Sequence, residues 1–338
     1  MPVAWSTRKL PPSGGLAVRP CPARRRNIQR PPMNVIKAVL LKIASAFLFA
    51  VMSVLVRYLG SRYPVGQIVF FRSAFAILPV VVIYAWRGEL EAAVRTGQPF
   101  RHIGRGLTAV GAMFCNFSAL ARLPVVDATA ISFASPLFTV AMAAIFLKER
   151  VRIYRWSAVI VGFSGVLVML APHLEVGRGA TEAAAAIGAL LGLTGAFCSA
   201  GSTIQTRALT ASETTSSIVF YFSLICALFG LCTWPFGWVT PSWPELAALI
   251  VIGIFGGLAH ILLTESYRHA PASVVAPFDY TSMLWALLLG FAVFGEVPGA
   301  LVYLGAAIIA GAGLFVIWRE RQLGLQRARA AEGPPTGT

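Results

Sequence analysis

Ten runs of mostly apolar residues follow one another along the chain, at about 34–58, 65–86, 104–121, 125–147, 153–171, 183–206, 215–234, 245–266, 273–294 and 299–318. Each is long enough to cross a hydrocarbon core of about 30 Å as a helix, which takes roughly 20 apolar residues. The breaks between them are short and polar or rich in Pro and Gly, as in Gly60-Ser61-Arg62-Tyr63-Pro64 and Pro241-Ser242-Trp243-Pro244. Loops this tight force each helix to pack on its neighbours and leave no room for a catalytic ectodomain. The pattern predicts an all-α integral membrane protein with ten transmembrane helices.

The ten runs are two sets of five. Residues 119–170 and 266–317 carry one pattern at a constant offset of 147, in which Pro124, Ser135, Leu137, Glu149 and Leu167 meet Pro271, Ser282, Leu284, Glu296 and Leu314. Upstream, Ala46, Phe47, Val69, Phe70, Ser73 and Leu78 return at an offset of 150 as Ala196, Phe197, Val219, Phe220, Ser223 and Leu228. A duplicated unit with an odd number of crossings must insert its second copy inverted, an architecture shared by many secondary transporters. The expected organisation is a basic, disordered tail over 1–33, a first repeat over 34–171, a second over 183–318 and a cytoplasmic tail over 319–338. Met33 opens the sequence MNVIKAVLLK directly before the first span, so translation is expected to start there.

Composition agrees with the medium: 57% of the 338 residues are hydrophobic and only 12% charged, against about 25% charged in soluble domains. The net charge of +15 invites a nucleic-acid reading, but the basic residues sort by loop instead of forming one surface. With the N-terminus inside, the N-terminal tail, the even loops and the C-terminal tail hold twenty-two Lys and Arg, including Arg24-Arg25-Arg26, Arg101, Arg105, Lys148 and Arg207. The opposite side holds four: Arg57, Arg62, Arg122 and Arg178. This positive-inside bias places both termini in the cytoplasm and predicts a multi-pass plasma membrane protein, in a bacterium the inner membrane, with no nucleic-acid partner. Lys42 and Arg72 remain inside spans. The five cysteines show no framework or metal-ligand spacing and read as small packing residues. No metal or cofactor is implied, and the absence of GxxxxGK[ST] argues against direct ATP drive.

The duplication also acts as an internal control. Matched residues, such as Glu149 and Glu296 or Pro124 and Pro271, serve the shared fold by closing and opening helices. Polar residues whose equivalents are apolar mark places where symmetry was broken. Arg72 aligns with Phe222; it lies about 10 Å into its span at 1.5 Å per residue, where it either snorkels to the nearer face or faces a wet cavity, its fork suited to a carboxylate or phosphate. Asp279 aligns with Ser132 and Tyr280 with Phe133, a polar residue beside an aromatic one in both copies. Such a carboxylate would bind a cationic group, pair with Arg72 or exchange a proton. His260 aligns with Met113 and is a candidate proton shuttle or a core histidine; Glu265, five residues on, does not share its face. Asn116, Ser132, Gln205 and Trp285 complete the candidate substrate-binding set of Arg72, His260, Asp279 and Tyr280, with Phe70, Phe71 and Phe133 as further apolar walls. Small residues at 188, 192, 253, 256, 257, 305, 311 and 313 read as close-packing positions.

The segments ALARLPVVDATAISFASPLFTVAMAAIFLKE and APASVVAPFDYTSMLWALLLGFAVFGEVP, set in ten spans duplicated five plus five, resemble the drug/metabolite transporter superfamily in its EamA branch over about 34–320. The runs PFRHIGRGL, ATAISFASPLFT and RWSAVIVGFSGVLVMLAP are similar to the subgroup of S-adenosylmethionine carriers; related groups carry riboflavin, and other members amino acids and diverse metabolites. One departure from an even repeat is that Pro136 of span 4 meets Met283 of span 9, which removes a proline break from the second copy. The resemblance implies a secondary transporter of a small organic metabolite that works by alternating access, with a coupling proton as a candidate partner and the oligomeric state open. Two rivals are an intramembrane serine protease built on Gly162-Phe163-Ser164-Gly165, with His260 as base, and a lipid-handling membrane protein.

Overall fold

The computed structural model describes residues 34–86, 88, 96–146, 153–174, 180–209, 213–270 and 276–331, and among them there is no strand. The ten predicted spans are helices: α1 (Val35–Gly60), α2 (Val65–Trp86), α3 (Pro99–Leu120), α4 in two pieces, α4a (Val125–Ser132) and α4b (Ala134–Phe146), α5 (Ile153–Leu174), α6 (Ala180–Leu209), α7 (Thr215–Leu231), α8 (Trp243–His269), α9 (Thr281–Phe294) and α10 (Ala300–Ala331). Helix starts follow local chemistry. Asn34 accepts from the Lys37 amide at 3.0 Å, Thr214 accepts from Ser217, and Ser242 with Glu245 forms a capping box before α8; each satisfies amides that a helix leaves unpaired. Gly295, at φ +65°, closes α9 in the left-handed conformation that glycine adopts without a Cβ penalty. α10 continues past its apolar run to Ala331, into the segment expected to be a tail. Glu149, Pro271 and the N-terminal residues 1–33 lie outside the described residues.

The packing obeys the exchange of repeats. α1 packs on α8 as α6 packs on α3, α2 on α8 as α7 on α3, and α9 on α1 as α4b on α6. α2 with α7 and α5 with α10 are pairs of equivalent helices, so they meet at the axis relating the copies. Side chains follow: Phe47 meets Trp285 edge-on at 5.1 Å, and the equivalent Phe197 meets Phe138 edge-on at 5.5 Å. The bundle is an all-α membrane fold of two inverted five-helix repeats.

Fully buried Leu59, Ile68, Leu123, Ile131, Leu249, Ile252 and Ile309 form the core, while Leu40, Val82, Ile160, Leu288 and Phe291 stand exposed on the outside. Lipid is as apolar as these side chains, so the helices associate through close packing. The glycines show how close. A Cβ on Gly257 would lie 2.6 Å from Pro79, one on Gly165 2.8 Å from the Gly305 carbonyl, one on Gly188 3.0 Å from Arg122 and Leu123 in the α3–α4 connection, and one on Gly192 3.1 Å from Ile131 of α4a. Gly311 departs from the expectation: nothing lies within 4 Å of its missing Cβ, so it serves no helix contact.

The break in α4 has a counterpart in the second copy, although Met283 stands where Pro136 would repeat. α4a ends at Ser132, with Phe133 in a turn, and the chain before α9 is a 3-10 segment over Ala276–Tyr280 that becomes α-helical at Thr281. Phe133 and Tyr280 are equivalent positions. The second break has a proline of its own, Pro277 within the 3-10 segment, and hydroxyls there also turn back on backbone carbonyls: Thr281 donates to Phe278 at 2.6 Å and Ser282 to Asp279 at 2.7 Å. Ser132 does the same to Thr129 at 2.6 Å in the first copy. Side-chain bonds to carbonyls three residues back compete with regular helix geometry.

Candidate functional site

The two ends of the bundle differ. At one end Arg57 of α1 donates through Nε and Nη2 to Glu296 at 3.2 and 3.1 Å, and the other oxygen of Glu296 accepts the Val125 amide that opens α4a at 2.9 Å. This clasp joins the first repeat to the second, and Arg57 also reaches the Leu120 carbonyl. Beside it Arg62 and Tyr63 donate to the two oxygens of Glu245 at 2.8 and 2.7 Å, and Gln67 exchanges two hydrogen bonds with the Val239 backbone. Glu296 therefore closes a helix, as its matched status predicted, and also binds the halves together.

At the opposite end Asp279, in the turn before α9, forms an ion pair with Lys42 of α1 at 2.5 Å. The Lys42 side chain is 4% exposed and that of Asp279 49%. Asp279 thus pairs with Lys42 and not with Arg72, the partner considered from sequence. The reason is register: Lys42, Ser45, Phe49 and Met52 recur at helical spacing on one face of α1, and Ser45 donates to the Ala259 carbonyl of α8 at 2.8 Å, so this face of α1 is turned into the bundle. Lys42 falls opposite Gly192 in the duplication, a mismatch of the same kind as Arg72 and Phe222 that was readable from the chain but passed over.

Between the two ends lies an aromatic and cationic cluster. Arg72 of α2 is 3% exposed, which excludes snorkelling. Its guanidinium lies over the ring of Phe222 at 5.4 Å, and Arg105 of α3 lies over the same ring at 5.1 Å. His260 of α8 meets Phe222 and Phe49 edge-on, at 5.6 and 5.1 Å. Gly256 makes the room: a Cβ there would come within 3.1 Å of Arg72 Nε and 3.2 Å of the Met52 sulfur. Arg105 donates through Nε to Thr206 at 2.6 Å and through Nη1 to the Ile218 carbonyl at 2.8 Å, whereas Arg72 Nε and Nη1 have no hydrogen-bond partner. Arg105 is a second residue that sequence reasoning missed. Six residues into α3, it was counted with the cytoplasmic loop charges, and nothing in its neighbourhood distinguishes a buried arginine from an interfacial one.

The remaining candidates divide by location. Asn116 fills the space left by the absent side chain of Gly195, and Gln205 donates to Thr108 at 3.3 Å, so both bridge α3 and α6. Ser132 bonds its own helix. Tyr280 stacks at a tilt on Phe133, 5.1 Å away, with its hydroxyl against Gly313. Trp285 rests on Phe47 and buries an indole N–H without a partner. Phe70 and Phe71 hold Trp238 of the α7–α8 connection at 5.2 and 6.4 Å. Ser164 is on α5, where its hydroxyl bonds Val161, and Gly162 and Gly165 seat Leu137 and Ile308, which accounts for the GxSG run as packing.

A ten-helix bundle of inverted repeats with charged groups buried at its axis is the architecture of a membrane carrier. The EamA-like transporter family model matches residues 36–171 and 186–319, and the chain belongs to that family. It is 32% identical to an S-adenosylmethionine uptake transporter of Rickettsia bellii, over 84% of this chain and 93% of the relative. It is 31% identical to a pseudopaline exporter of Pseudomonas aeruginosa, over 80% and 92%, and 30% identical to a riboflavin transporter of Rhizobium johnstonii, over 86% and 93%. A solved crystal structure shares the fold with a TM-score of 0.60 at 20% identity, covering 85% of this chain and 98% of its own. The protein is a multi-pass membrane transporter of small metabolites and not an enzyme.

Proposed function

We propose that the protein is a secondary carrier that moves a small organic metabolite across the bacterial inner membrane by alternating access, with both termini in the cytoplasm. The observation that carries this reading is the contrast between the bundle ends. One end is clasped across the repeats by Arg57, Glu296 and Val125, while at the other the Asp279 carboxylate is half exposed. The positive-inside bias puts the Asp279 end towards the cytoplasm, so this conformer is closed outside. Substrate enters past Lys42, Asp279 and Trp285 and is held at Arg72 and His260; Asn116, Ser132, Gln205 and Tyr280 keep the surrounding helices in place. Rocking of one repeat against the other exchanges the closed end, for which the Arg57–Glu296 clasp must open. The relatives' names set the substrate panel: S-adenosylmethionine, riboflavin and amino acids.

Purified protein reconstituted in liposomes tests this. Saturable uptake of at least one panel member, accelerated by the same compound on the far side, is the expected result; flux that rises linearly with concentration and ignores trans substrate would replace the carrier by a channel. An imposed pH gradient decides between proton coupling and exchange.

A further inference from the structure

The cluster around Arg72 carries more than a location. Arg72 is buried at mid-bundle, and its surroundings, Phe222, Phe49, Met52, His260 and the bare backbone of Gly256, include no carboxylate. Two of its donor nitrogens are without a partner, and no ion pair among the described residues includes it. Burial of a guanidinium without a counter-charge costs several kcal/mol, so a fold that keeps one, and clears a glycine beside it, holds it for an anion that comes and goes. The other cations are engaged: Arg105 spends Nε and Nη1 on Thr206 and Ile218, and Lys42 is neutralised by Asp279. What remains open is one planar fork in an aromatic box.

Resting on the carrier reading above, we propose that Arg72 binds a carboxylate of the transported molecule, so that the substrate is a carboxylated metabolite of the amino-acid type. A carboxylate offers two oxygens to the two open donors. A phosphate would bring a third oxygen and a further charge, beyond what the two open donors of Arg72 can match. The positive field of Arg105 adds to the anion site, and the Phe222 ring excludes water from it, which strengthens the pair.

The test uses the full-length protein in detergent and matched ligand pairs that differ in the carboxylate alone: S-adenosylmethionine against its decarboxylated form, and methionine against 3-(methylthio)propylamine. Riboflavin and riboflavin 5′-phosphate serve as carboxylate-free probes. Ligand-dependent rise in unfolding temperature reports affinity. A carboxylate should bind at least about 30-fold tighter than its decarboxylated partner, the factor expected for a buried charge-assisted pair. In Arg72→Gln that ratio should fall towards one. The ratio in the wild-type chain stands even if the variant does not fold. Equal affinity within both pairs, a shift from no carboxylate in the panel, or a shift from the phosphate alone would overturn the proposal. Riboflavin binding with transport would sink the carboxylate site and leave the carrier reading intact. Carboxylate binding without saturable transport would do the reverse.

Discussion

Arg72 lies with its guanidinium 5.4 Å from the centroid of Phe222, the residue to which the duplication equates it. Two equivalent residues touch only where the axis relating the copies passes between them, and α2 and α7 are such a pair. Phe133 and Tyr280, also equivalent, meet in the same way 5.1 Å apart. At the axis a residue faces its own counterpart, so divergence of one copy changes both sides of a single contact. An ancestral pair of like side chains at 72 and 222 becomes a cation on an aromatic face, an attraction of about 0.5 to 2 kcal/mol that grows with desolvation.

Phe222 is therefore expected to matter to three groups at once, since Arg72, Arg105 and His260 all use its ring. Phe222→Ala should lower stability by about 3 kcal/mol, as for large-to-small changes at packed aromatics. Phe222→Leu keeps most of the volume but removes the π face, and should cost less than about 1.5 kcal/mol while weakening uptake at least tenfold. Thermal unfolding in detergent and liposome uptake, measured on both variants, separate the two effects; unchanged uptake in Phe222→Leu would show that the ring acts only as filler.

The Lys42–Asp279 pair makes a prediction of the opposite kind. Removing one member leaves the other charge without its counter-ion, so Asp279→Asn should destabilise by about 2 kcal/mol, below the range for fully buried pairs because Asp279 is half exposed. Lys42→Met with Asp279→Asn removes both charges and should regain most of that stability. Uptake should stay low in the double variant if the pair takes part in transport. Recovery of both stability and uptake would confine it to folding.

How much of this was legible in the chain varies with the kind of contact. The ten helices and their inverted halves follow from run length and an odd repeat, because a bilayer permits few alternatives. Arg72 and Asp279 stood out as mismatches between copies, and both are at charged contacts. Their partners were not legible, since which face of α1 turns inward depends on packing against α8; that choice placed Lys42 on Asp279 and left Arg72 open. Asn116 and Gln205 stood out because a polar side chain in a span must find a partner, and the partners visible here, the Gly195 gap and Thr108, are on the neighbouring helix, which the chain alone does not show. The break before α9 has its proline at Pro277, six residues before the position that Pro136 would repeat, so comparing the copies position by position does not find it.

Opening of the clasped end requires Glu296 to release both Arg57 and the α4a amide. Glu296→Gln keeps the shape and a carbonyl acceptor but removes the charge, so the ion pair and the favourable contact with a helix N-terminus both weaken, together by about 1 to 2 kcal/mol. The expected result is a lower unfolding temperature and faster maleimide labelling of a cysteine placed at Leu123, fully buried in the α3–α4 connection beside the clasp, in a background without native cysteines. Labelling at the wild-type rate would mean that the clasp does not hold this end shut.

Gly313 and Tyr280 allow the most direct test of axial packing. A Cβ on Gly313 would collide with the Tyr280 hydroxyl and come within 3.1 Å of the ring carbon that bears it. Gly313→Ala should therefore displace Tyr280 from Phe133 and cost about 1 to 3 kcal/mol, the usual penalty of overpacking, despite the gain in helix propensity of about 1 kcal/mol. Tyr280→Phe removes the colliding oxygen. On its own it should be nearly neutral, and combined with Gly313→Ala it should restore most of the lost stability, a coupling of at least about 1 kcal/mol in the double-mutant cycle. Additive effects of the two changes would place the Tyr280 hydroxyl away from α10 and with it the ring pair away from the axis.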